Sequence, residues 1–355
     1  MAASRMTDLS RRRRASAQVT AEDVARVLGL SQSTISRAFS VSASIAEETR
    51  ARVMKTATAL GYKPNVIARS LTTRRTNIVA IVMENLTDPF YPLVLDALAQ
   101  RIQACGCQTL LFVPAHGESV EDSLTTLLQY QVDAIVITSA TLSSTMVRTC
   151  ALRDTPVVLF NRYVPDLEIH AVSCDNAAGG RQVADYLVQR AHVRPAYVSG
   201  QPDATTNLDR KRGFVSRLEE LGVRSWLLEE GGSYSYEAGF AAAKRLAARR
   251  ERPDAIFFAS DVMAFGGMEA LRVAGLRIPE DIGVVGFDDV PAAAWPSNRL
   301  TTVRQPVQEM VAAAIDRVGL GASGFMPGAA ETRLIPGTLI ERTSTIDRSP
   351  PAKRR

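Results

Sequence analysis

The chain of 355 residues has a formal net charge of +5 and 46% hydrophobic residues, enough to bury two ordinary cores and one small extra domain. No stretch approaches the roughly 18 apolar residues of a membrane helix. No apolar run follows the arginines near the amino terminus, so we expect neither a membrane span nor a secretory signal. The cysteines lack zinc-binding spacing and fit a reducing compartment, so we expect a cytoplasmic protein without a metal or a cofactor.

Positive charge is concentrated at the amino-terminal end. Residues 1–76 contain 14 lysine and arginine residues against 5 acidic ones, whereas the remainder contains 28 against 32. A basic head on a mildly acidic body places the phosphate-facing surface at one end of the chain. Residues 1–18 are predicted to form a disordered basic arm, in which the run Arg11–Arg14 contacts phosphates or simply solubilises the chain.

Residues 19–39, VTAEDVARVLGLSQSTISRAF, predict two short helices joined by a tight turn. Thr20 is placed to cap the first helix, with Asp23 three residues on in a capping-box relation. Gly29 allows the positive φ of a sharp turn, and Ser31 is placed to cap the second helix. The apolar positions of the two helices and the turn are Val24, Val27, Leu28, Leu30, Ile35 and Phe39.

The second helix leaves four polar side chains facing outward near its start: Gln32, Ser33, Ser36 and Arg37. A helix that presents its amino-terminal end to the major groove needs such groups. Glutamine pairs with adenine, serine with several base edges, and arginine with guanine or phosphate. The pattern favours a DNA-binding helix-turn-helix over an ordinary helical hairpin with a solvated polar face.

A third helix is predicted from Glu47 to Leu60, and Pro64 biases the residue before it away from helix. The segment that follows, residues 66–71, is too short to stay helical alone in water. It forms either a plain linker or a hinge helix that folds on DNA. In the second case Leu71 or Ala68 acts as an apolar wedge in the minor groove.

From Ile78 onward the apolar pattern changes to short runs rich in valine and isoleucine, separated by amphipathic helical stretches. The runs form two groups: 78–82, 109–113, 134–138, 157–160 and 171–173, then 196–199, 226–228, 255–259 and 283–287. Continuous apolar strands that alternate with helices indicate parallel sheets covered on both faces. The predicted fold class is therefore α/β, with an all-α helix-turn-helix headpiece and two doubly wound parallel-sheet lobes.

Polar residues follow many of these strands, and ligands of such sheets bind beyond the carboxyl ends of the strands. The residues at these ends are Asn85, His116, Ser139, Asn161, Arg162, Asp175, Ser260, Asp261, Asp288 and Asp289, with the aromatic residues Phe90, Tyr91 and Tyr234 nearby. Amides, acceptors, an arginine and aromatic faces suit a polyhydroxyl or heterocyclic ligand. Taken alone, Asp175 and Asp261 are better explained as helix caps; the whole set predicts a binding crevice.

Enzymatic signatures are missing from the sequence. There is no Walker A, GxSxG or HExxH motif, and the three histidines share no spacing. A GxGxxG match at Gly319, Gly321 and Gly324 follows a predicted helix rather than a strand, so we interpret it as a loop. We expect a protein that is not an enzyme.

The run at 19–39, followed by SIAEETRARVMKTATALGYKPNVIARSL, resembles the headpiece and hinge of the lactose/galactose repressor (LacI/GalR) family. The body is similar too, in NIVAIVMENLTDPFYPLVLDAL, VSCDNAAGG, the spaced Arg210, Gly213 and Phe214, FFASDVMAFGGMEALRVAGLRIPEDIGVVGFDD and LTTVRQP. The resemblance covers about residues 19–345. It implies a transcriptional regulator, most often a repressor, with lobes like those of periplasmic binding proteins.

The resemblance implies a homodimer on a pseudo-palindromic double-stranded operator, with Gln32 and Ser33 reading bases and Arg37 in support. The residues expected at DNA are Thr20, Ser31, Gln32, Ser33, Thr34, Ser36, Arg37, Asn65, Ala68 and Leu71. It also implies a carbohydrate-derived effector between the lobes, whose binding alters the spacing of the hinges. The residues expected at the effector are Phe90, Tyr91, Asn161, Arg162, Tyr234, Ser260, Asp288 and Gln305.

The family fold also implies domain limits and three crossings between the lobes. The predicted regions are 1–18 (arm), 19–63 (helix-turn-helix), 64–76 (hinge), 77–345 (effector binding and dimerisation) and 346–355 (disordered tail). Residues 302–319 are expected to return to the first lobe, and residues 334–343 to the second. The carboxyl end lacks leucine heptads, so a dimer is expected rather than a tetramer held by a coiled coil.

Two residues depart from the family pattern. Ser40 stands where asparagine is common, which alters a phosphate contact or the local turn. Asn161 replaces an aspartate that is frequent in sugar-binding members, and an amide donates as well as accepts. Two other classes would share parts of this body: an exported sugar-binding protein, which would need an export signal and no headpiece, and a sugar-processing enzyme, which would need a catalytic base.

Overall fold

The computed structural model describes residues 19–39, 44–63, 75–84, 86–114, 120–138, 149–150, 155–165, 167–320 and 330–349. The chain divides into two compact units between Thr76 and Asn77. The predicted arm and the hinge residues 64–74 lie outside the described residues. No helix in the described ranges is long and apolar enough to cross a membrane.

The first unit contains three helices in its described part: α1 (Ala21–Leu28), α2 (Gln32–Ala38) and α3 (Glu47–Leu60). The predicted capping box is present, because the Asp23 amide donates to Thr20 Oγ1 at 3.3 Å and the Thr20 amide donates to Asp23 Oδ2 at 3.1 Å. Gly29 ends α1 with φ 67°. This confirms the predicted helix-turn-helix and its third helix.

The headpiece core is small and built from one face of each helix. Val24 of α1, Ile35 of α2 and Val53 of α3 are fully buried and pack together. The Arg50 guanidinium of α3 donates to the Ala38 carbonyl at 2.8 Å, which holds α3 against the end of α2. The turn and the cap fix the direction in which α2 presents its polar face.

The second unit is built from two α/β lobes. In chain order its strands are β1 (Ile78–Val82), β2 (Gln108–Phe112), β3 (Ala134–Ile137), β4 (Val157–Phe160), β5 (His170–Cys174), β6 (Pro195–Ser199), β7 (Leu227–Glu230), β8 (Ala255–Phe258), β9 (Gly283–Asp288), β10 (Thr301–Arg304), β11 (Thr332–Ile335) and β12 (Thr338–Ile340). Its helices are α4 (Phe90–Ala104), α5 (Val120–Leu127), α6 (Asn176–Gln189), α7 (Thr205–Glu220), α8 (Tyr236–Ala247), α9 (Asp261–Val273) and α10 (Val307–Arg317), with short 3₁₀ turns at Leu128–Tyr130 and Pro291–Ala294.

Each lobe contains a six-stranded sheet. The first sheet has the order β2-β1-β3-β4-β5-β11 and is parallel throughout; the second has the order β7-β6-β8-β9-β10-β12 and is parallel except for β12, which runs antiparallel to β10. The predicted two doubly wound lobes are confirmed. The nine predicted strands omitted β10, β11 and β12, and the strand predicted at 226–228 runs instead from Leu227 to Glu230.

The chain crosses between the lobes three times, as expected, but two of the expected limits are wrong. Residues 301–304 stay in the second lobe because β10 pairs with β9, and α10 then packs on the first lobe. Residues 332–335 remain in the first lobe because β11 pairs with β5, so the last crossing lies between β11 and β12. The local sequence does not show which sheet a short strand joins, because that depends on a pairing partner elsewhere in the chain.

The end of the described chain also differs from expectation. Residues 346–349 were predicted to belong to a disordered tail, but they are bonded to the second lobe. The Arg348 amide donates to the Arg190 carbonyl at 2.9 Å, and the Ile346 carbonyl lies 3.2 Å from Nε2 of the buried His192. His192 lies in the loop that follows α6.

Close packing of α6 on α7 positions the Arg210 side chain at the crevice between the lobes. A Cβ added at Gly213 of α7 would lie 2.0 Å from the Ala177 carbonyl oxygen of α6, so only glycine permits this approach. As a result Arg210, one turn before Gly213, reaches Asn176 at the start of α6. The glycine and arginine spacing seen in the sequence thus has a geometric cause.

Candidate functional site

The polar face of α2 is arranged as the sequence predicts. Gln32, Ser33, Ser36 and Arg37 are exposed, whereas Ile35 between them is buried. The Arg37 Nε group donates to the Ser33 carbonyl at 3.4 Å, a long and solvent-exposed hydrogen bond. The face has the donors and acceptors needed to read base edges.

Ser31 and Thr34 have a structural role in α2 in addition to the one predicted. The Thr34 amide donates to Ser31 Oγ at 3.2 Å, and the hydroxyls of the two residues lie 2.9 Å apart. Thr20 is likewise occupied by the capping box of α1. These three hydroxyls therefore also hold the helix ends in place. The other predicted DNA-binding residues, Asn65, Ala68 and Leu71, lie outside the described residues.

A crevice that opens to solvent lies at the carboxyl ends of the strands, between the two lobes. The residues that line it are Asp88, Phe90, Tyr91, Asn161, Arg162, Thr206, Arg210, Tyr234, Ser260 and Asp288. Seven of the eight residues predicted for the effector are among them. The eighth, Gln305, is buried behind the wall and donates from Nε2 to Asp288 Oδ1 at 2.7 Å.

The first lobe contributes a wall with aromatic faces and unsatisfied polar groups. The Phe90 and Tyr91 rings at the start of α4 pack edge to face, with their centroids 5.7 Å apart. Burial raises the pKa of Tyr91 to about 12. Asn161 directly follows β4 with φ 67°, a conformation that asparagine tolerates better than most residues. Among the described residues, Asn161 Oδ1 and Arg162 Nε are buried without a hydrogen-bond partner.

The second lobe contributes a wall that is already bonded, with Arg210 at its centre. This residue is 2% exposed. Its Nε donates to Asn176 Oδ1 at 2.8 Å and its Nη1 to the Ala259 carbonyl at 2.5 Å. The guanidinium also lies 3.7 Å from the centre of the Phe287 ring. These contacts fix the guanidinium plane before any ligand arrives.

Asp288 is the carboxylate closest to this guanidinium, at 3.6 Å from Nη2. Burial raises its pKa to about 7, against the opposing effect of Arg210 and with a further upward contribution from Asp88. Burial also raises the pKa of Asp88. For Arg210 itself burial is the largest single effect and lowers the pKa, but Asp288 together with Tyr234, Tyr197 and Cys174 outweighs it and the net change is upward. The crevice thus combines a permanent cation with one carboxyl group, Asp288, whose charge changes near neutral pH.

Asp261 does not cap a helix, contrary to expectation. The cap of α9 is Ser260, whereas Asp261 is fully buried and accepts from the Val290 amide at 2.9 Å and from Thr302 Oγ1 at 2.6 Å. A Cβ at Gly286 would lie 2.2 Å from Asp261 Oδ1, so the glycine makes room for the carboxyl group. Asp175 does cap α6, through the Ala178 amide at 2.9 Å.

The sequence interpretation missed three lining residues: Asp88, Thr206 and Arg210. Thr206 donates to or accepts from the Tyr234 hydroxyl at 2.9 Å. It lies in the first turn of α7, which begins at Thr205, and does not directly follow a strand, so the strand-end rule does not reach it. The sequence did contain a signal for Arg210. It precedes the buried Phe214 by four residues and so lies on the same face of the helix. A charged residue on an apolar helix face needs hydrogen-bond or ion-pair partners. Asp88 lies two residues before Phe90 and gave no such signal.

Groups of metal-binding side chains are not found within the described ranges. The crevice instead presents hydrogen-bond donors, acceptors and aromatic faces. Such a set suits reversible binding of a small polar molecule with ring or hydroxyl groups.

Comparisons with known proteins agree with both parts of this description. Residues 20–65 match the model of the bacterial regulatory proteins of the lacI family, and residues 184–345 match that of the periplasmic binding protein-like domain. The transcriptional regulator DegA of Bacillus subtilis (strain 168) is 30% identical over 335 residues, which cover 92% of this chain and 98% of DegA.

Solved structures show the same architecture. The lac repressor dimer bound to operator and an anti-inducer superposes with a TM-score of 0.80 at 23% identity, covering 93% of this chain and 100% of the other. The complex of the regulator CelR with cellobiose superposes with a TM-score of 0.66 at 28% identity, covering 92% and 100%. With its headpiece, its two lobes and a relative matched over nearly its whole length, the chain belongs to the lacI family of bacterial regulatory proteins and is a regulator of transcription, not an enzyme.

Proposed function

We propose that two copies of this chain bind a pseudo-palindromic operator and repress transcription, and that a small carbohydrate-derived effector in the crevice controls their affinity for it. The observation that carries this proposal is the joining of one DNA-reading headpiece to one inter-lobe crevice lined by seven of the expected residues. The protein acts in the cytoplasm, where its DNA is.

At DNA, Gln32 and Ser33 read base edges and Arg37 supports them from the same exposed face. Thr20, Ser31, Thr34 and Ser36 lie at or near the starts of α1 and α2, where hydroxyls and helix amides can contact phosphates. Asn65, Ala68 and Leu71 belong to the hinge, with Leu71 entering the minor groove when the hinge folds on DNA.

In the crevice, the two walls have different tasks. Arg210 and Asp288 offer a fixed donor and an acceptor to hydroxyl groups, and Phe90, Tyr91 and Tyr234 present ring faces to the apolar side of a sugar. The amide at Asn161 both donates and accepts, in place of an aspartate that only accepts. The CelR structure holds cellobiose, and the lining described here suits a carbohydrate-derived ligand of the same chemical class.

Coupling follows from the path of the chain. Three connections cross between the lobes. A ligand that binds more tightly at one angle between the lobes shifts the population toward that angle. The angle sets the distance between the two hinges of the dimer, and only the correct distance lets both hinges fold on DNA. Inducers and corepressors would use the same crevice and differ in which angle they stabilise.

The second lobe has an exposed apolar region suited to pairing of two chains. Trp295 is 59% exposed and Val273 is 71% exposed. The Arg272 guanidinium donates to the Ser297 carbonyl at 2.7 Å, which holds the end of α9 against the loop that carries Trp295. Trp295→Glu should therefore convert the dimer to a monomer in light scattering, whereas Tyr130→Glu, at an exposed residue of the first lobe, should leave the dimer intact.

Two measurements test the proposed function in sequence. A thermal-shift screen with sugars, sugar acids and nucleobases identifies ligands, because binding to the folded state raises the melting temperature. A gel-shift assay with the protein's own upstream DNA then measures operator binding with and without each ligand. Failure to bind this DNA and to respond to any ligand would contradict the proposal.

A further inference from the structure

A short side-chain hydrogen bond joins the two lobes beside the crevice, between two residues that do not line it. The Tyr163 hydroxyl, which follows β4 in the first lobe, donates to Asp209 Oδ2 of α7 in the second lobe at 2.7 Å. The Tyr163 ring packs against the core of the first lobe, next to Val164 and Leu167. Because each partner is held by its own lobe, the hydrogen bond resists separation of the lobes.

The surroundings of this pair favour a strong hydrogen bond. Asp209 is 5% exposed, and its other oxygen, Oδ1, pairs with Arg212 at 2.7 Å. Burial and the bond to Asp209 raise the pKa of Tyr163 to about 12, so the phenol remains a donor at neutral pH. A hydrogen bond to a charged acceptor is stronger than one between neutral groups.

The pair is also adjacent in sequence to two charged groups of the crevice. Arg162 precedes Tyr163 on one wall, and Arg210 follows Asp209 on the other. Two longer contacts run alongside: the Tyr163 amide to Thr205 Oγ1 at 3.5 Å and Arg162 Nη2 to Gln201 Oε1 at 3.4 Å. Separation of Tyr163 from Asp209 would therefore also separate the walls that carry the two guanidinium groups.

We propose that Tyr163 and Asp209 are positioning residues, whose hydrogen bond holds the lobes together and sets the spacing of Arg162 and Arg210 for the effector. The part that concerns the effector rests on the proposed function, whereas the bond itself is a property of the protein without a ligand. Loss of one such bond shifts a two-state equilibrium by about tenfold. The apparent affinity for a ligand that needs the closed crevice falls by the fraction of protein that opens.

Hydrogen exchange of the full chain without any ligand tests the bond directly. In Tyr163→Phe the ring packing is kept and only the hydroxyl is lost. Peptides that contain the residue 163 amide and the start of α7 should then exchange about tenfold faster than in the wild type, because opening of the lobes exposes them. The Gly200 amide, which donates to Asn207 Oδ1 at 2.9 Å within the second lobe, serves as an internal reference.

A matched variant separates this effect from the loss of any buried tyrosine hydroxyl. Tyr186 bonds Thr345 at 2.5 Å entirely within the second lobe, so Tyr186→Phe should not change exchange at the two walls of the crevice. Wild-type exchange at both walls in Tyr163→Phe, or equal acceleration in both variants, would overturn the proposal.

The acceptor side gives an independent check. Asp209→Asn keeps a carbonyl acceptor but not its charge, so its exchange should lie between the wild type and Tyr163→Phe. Asp209→Ala should behave like Tyr163→Phe, and Arg212→Ala, which keeps the acceptor and removes only the ion pair, should stay close to the wild type. Slow exchange in Asp209→Ala would contradict the inference. If the exchange results follow this order while the DNA and ligand assays fail, the proposed function is wrong and the bond between the lobes stands.

Discussion

The headpiece and the crevice use similar polar side chains in opposite surroundings. On α2, Gln32 and Ser36 point into solvent, and the buried contacts of the helix are made by Ile35. In the crevice, Arg210 and Asp288 are almost fully buried and bonded to other parts of the second lobe. A side chain of the first kind can change without disturbing the fold, whereas one of the second kind is also a structural element.

This difference suits the two tasks. A DNA-reading face must be open, and its specificity can vary through single exposed residues. A ligand site must exclude water and hold its groups in fixed orientations, so binding and folding share the same contacts. The predictions below test how far function and stability separate in the two regions.

The largest effect is expected for Arg210→Met. The substitution leaves Asp288, Asn176 Oδ1 and the Ala259 carbonyl without their partner, and breaking a buried pair of this kind costs roughly 3–5 kcal/mol of unfolding free energy. Arg181→Met is the control, because Arg181 pairs with Glu220 on the surface and should matter much less. Equal losses in urea unfolding would show that Arg210 is not a structural element.

The carboxyl groups of the crevice should make stability depend on pH. The folded pKa of Asp288 is about 7, above the unfolded value of roughly 3.9, so the folded state holds more protons between these values. The free energy of unfolding should therefore fall as pH rises from about 4 to 7 and then level off. Asp261 and Asp88 act in the same direction.

Asp288→Asn isolates the contribution of this group. The variant should lose part of the decline in melting temperature between about pH 4 and 7, since it has no proton to release there. Asp281→Asn is a useful contrast, because the Arg277 side chain holds the pKa of Asp281 below its usual value. Asp281 therefore adds stability as pH rises toward its unfolded pKa, which is opposite to the effect of Asp288. An unchanged pH profile in Asp288→Asn would mean that this carboxyl group ionises normally.

In the headpiece, Gln32→Ala should separate function from stability. Loss of a side chain that pairs with a base should cost roughly 1–3 kcal/mol of operator binding and relax specificity at one base pair. The melting temperature should not change, because Gln32 is exposed. Binding weakened equally on all DNA sequences would assign Gln32 to phosphate contact instead of base reading.

The smallest effect is expected for Thr20→Ala, an exposed residue of the headpiece that nevertheless contributes to stability. Thr20 is exposed, yet its hydroxyl caps α1, so the headpiece should lose about 1 kcal/mol of stability. Faster exchange of the Asp23 amide in the full chain would report this loss, and Ser36→Ala on the same unit should not show it. Unchanged exchange would mean that the cap contributes little.

The sequence predicted local structure better than long-range pairing. The caps at Thr20 and Ser31 and the turn at Gly29 were correct because their causes lie within a few residues. The strand-end rule placed Asn161 and Asp288 in one crevice without a structure. The sheet joined by residues 301–304 and the role of Asp261 depended on partners far along the chain, which no local pattern contains.

The central claim is that the crevice controls the headpiece, and fluorescence anisotropy with the protein's upstream DNA tests it most directly. With a saturating ligand from the thermal-shift screen, the operator affinity of the wild type should change by about 5–150-fold. Asp288→Ala should bind the same DNA as tightly as the ligand-free wild type and show no change. A ligand that binds the wild-type crevice but leaves operator affinity unaltered would contradict the account, as would a normal response in Asp288→Ala.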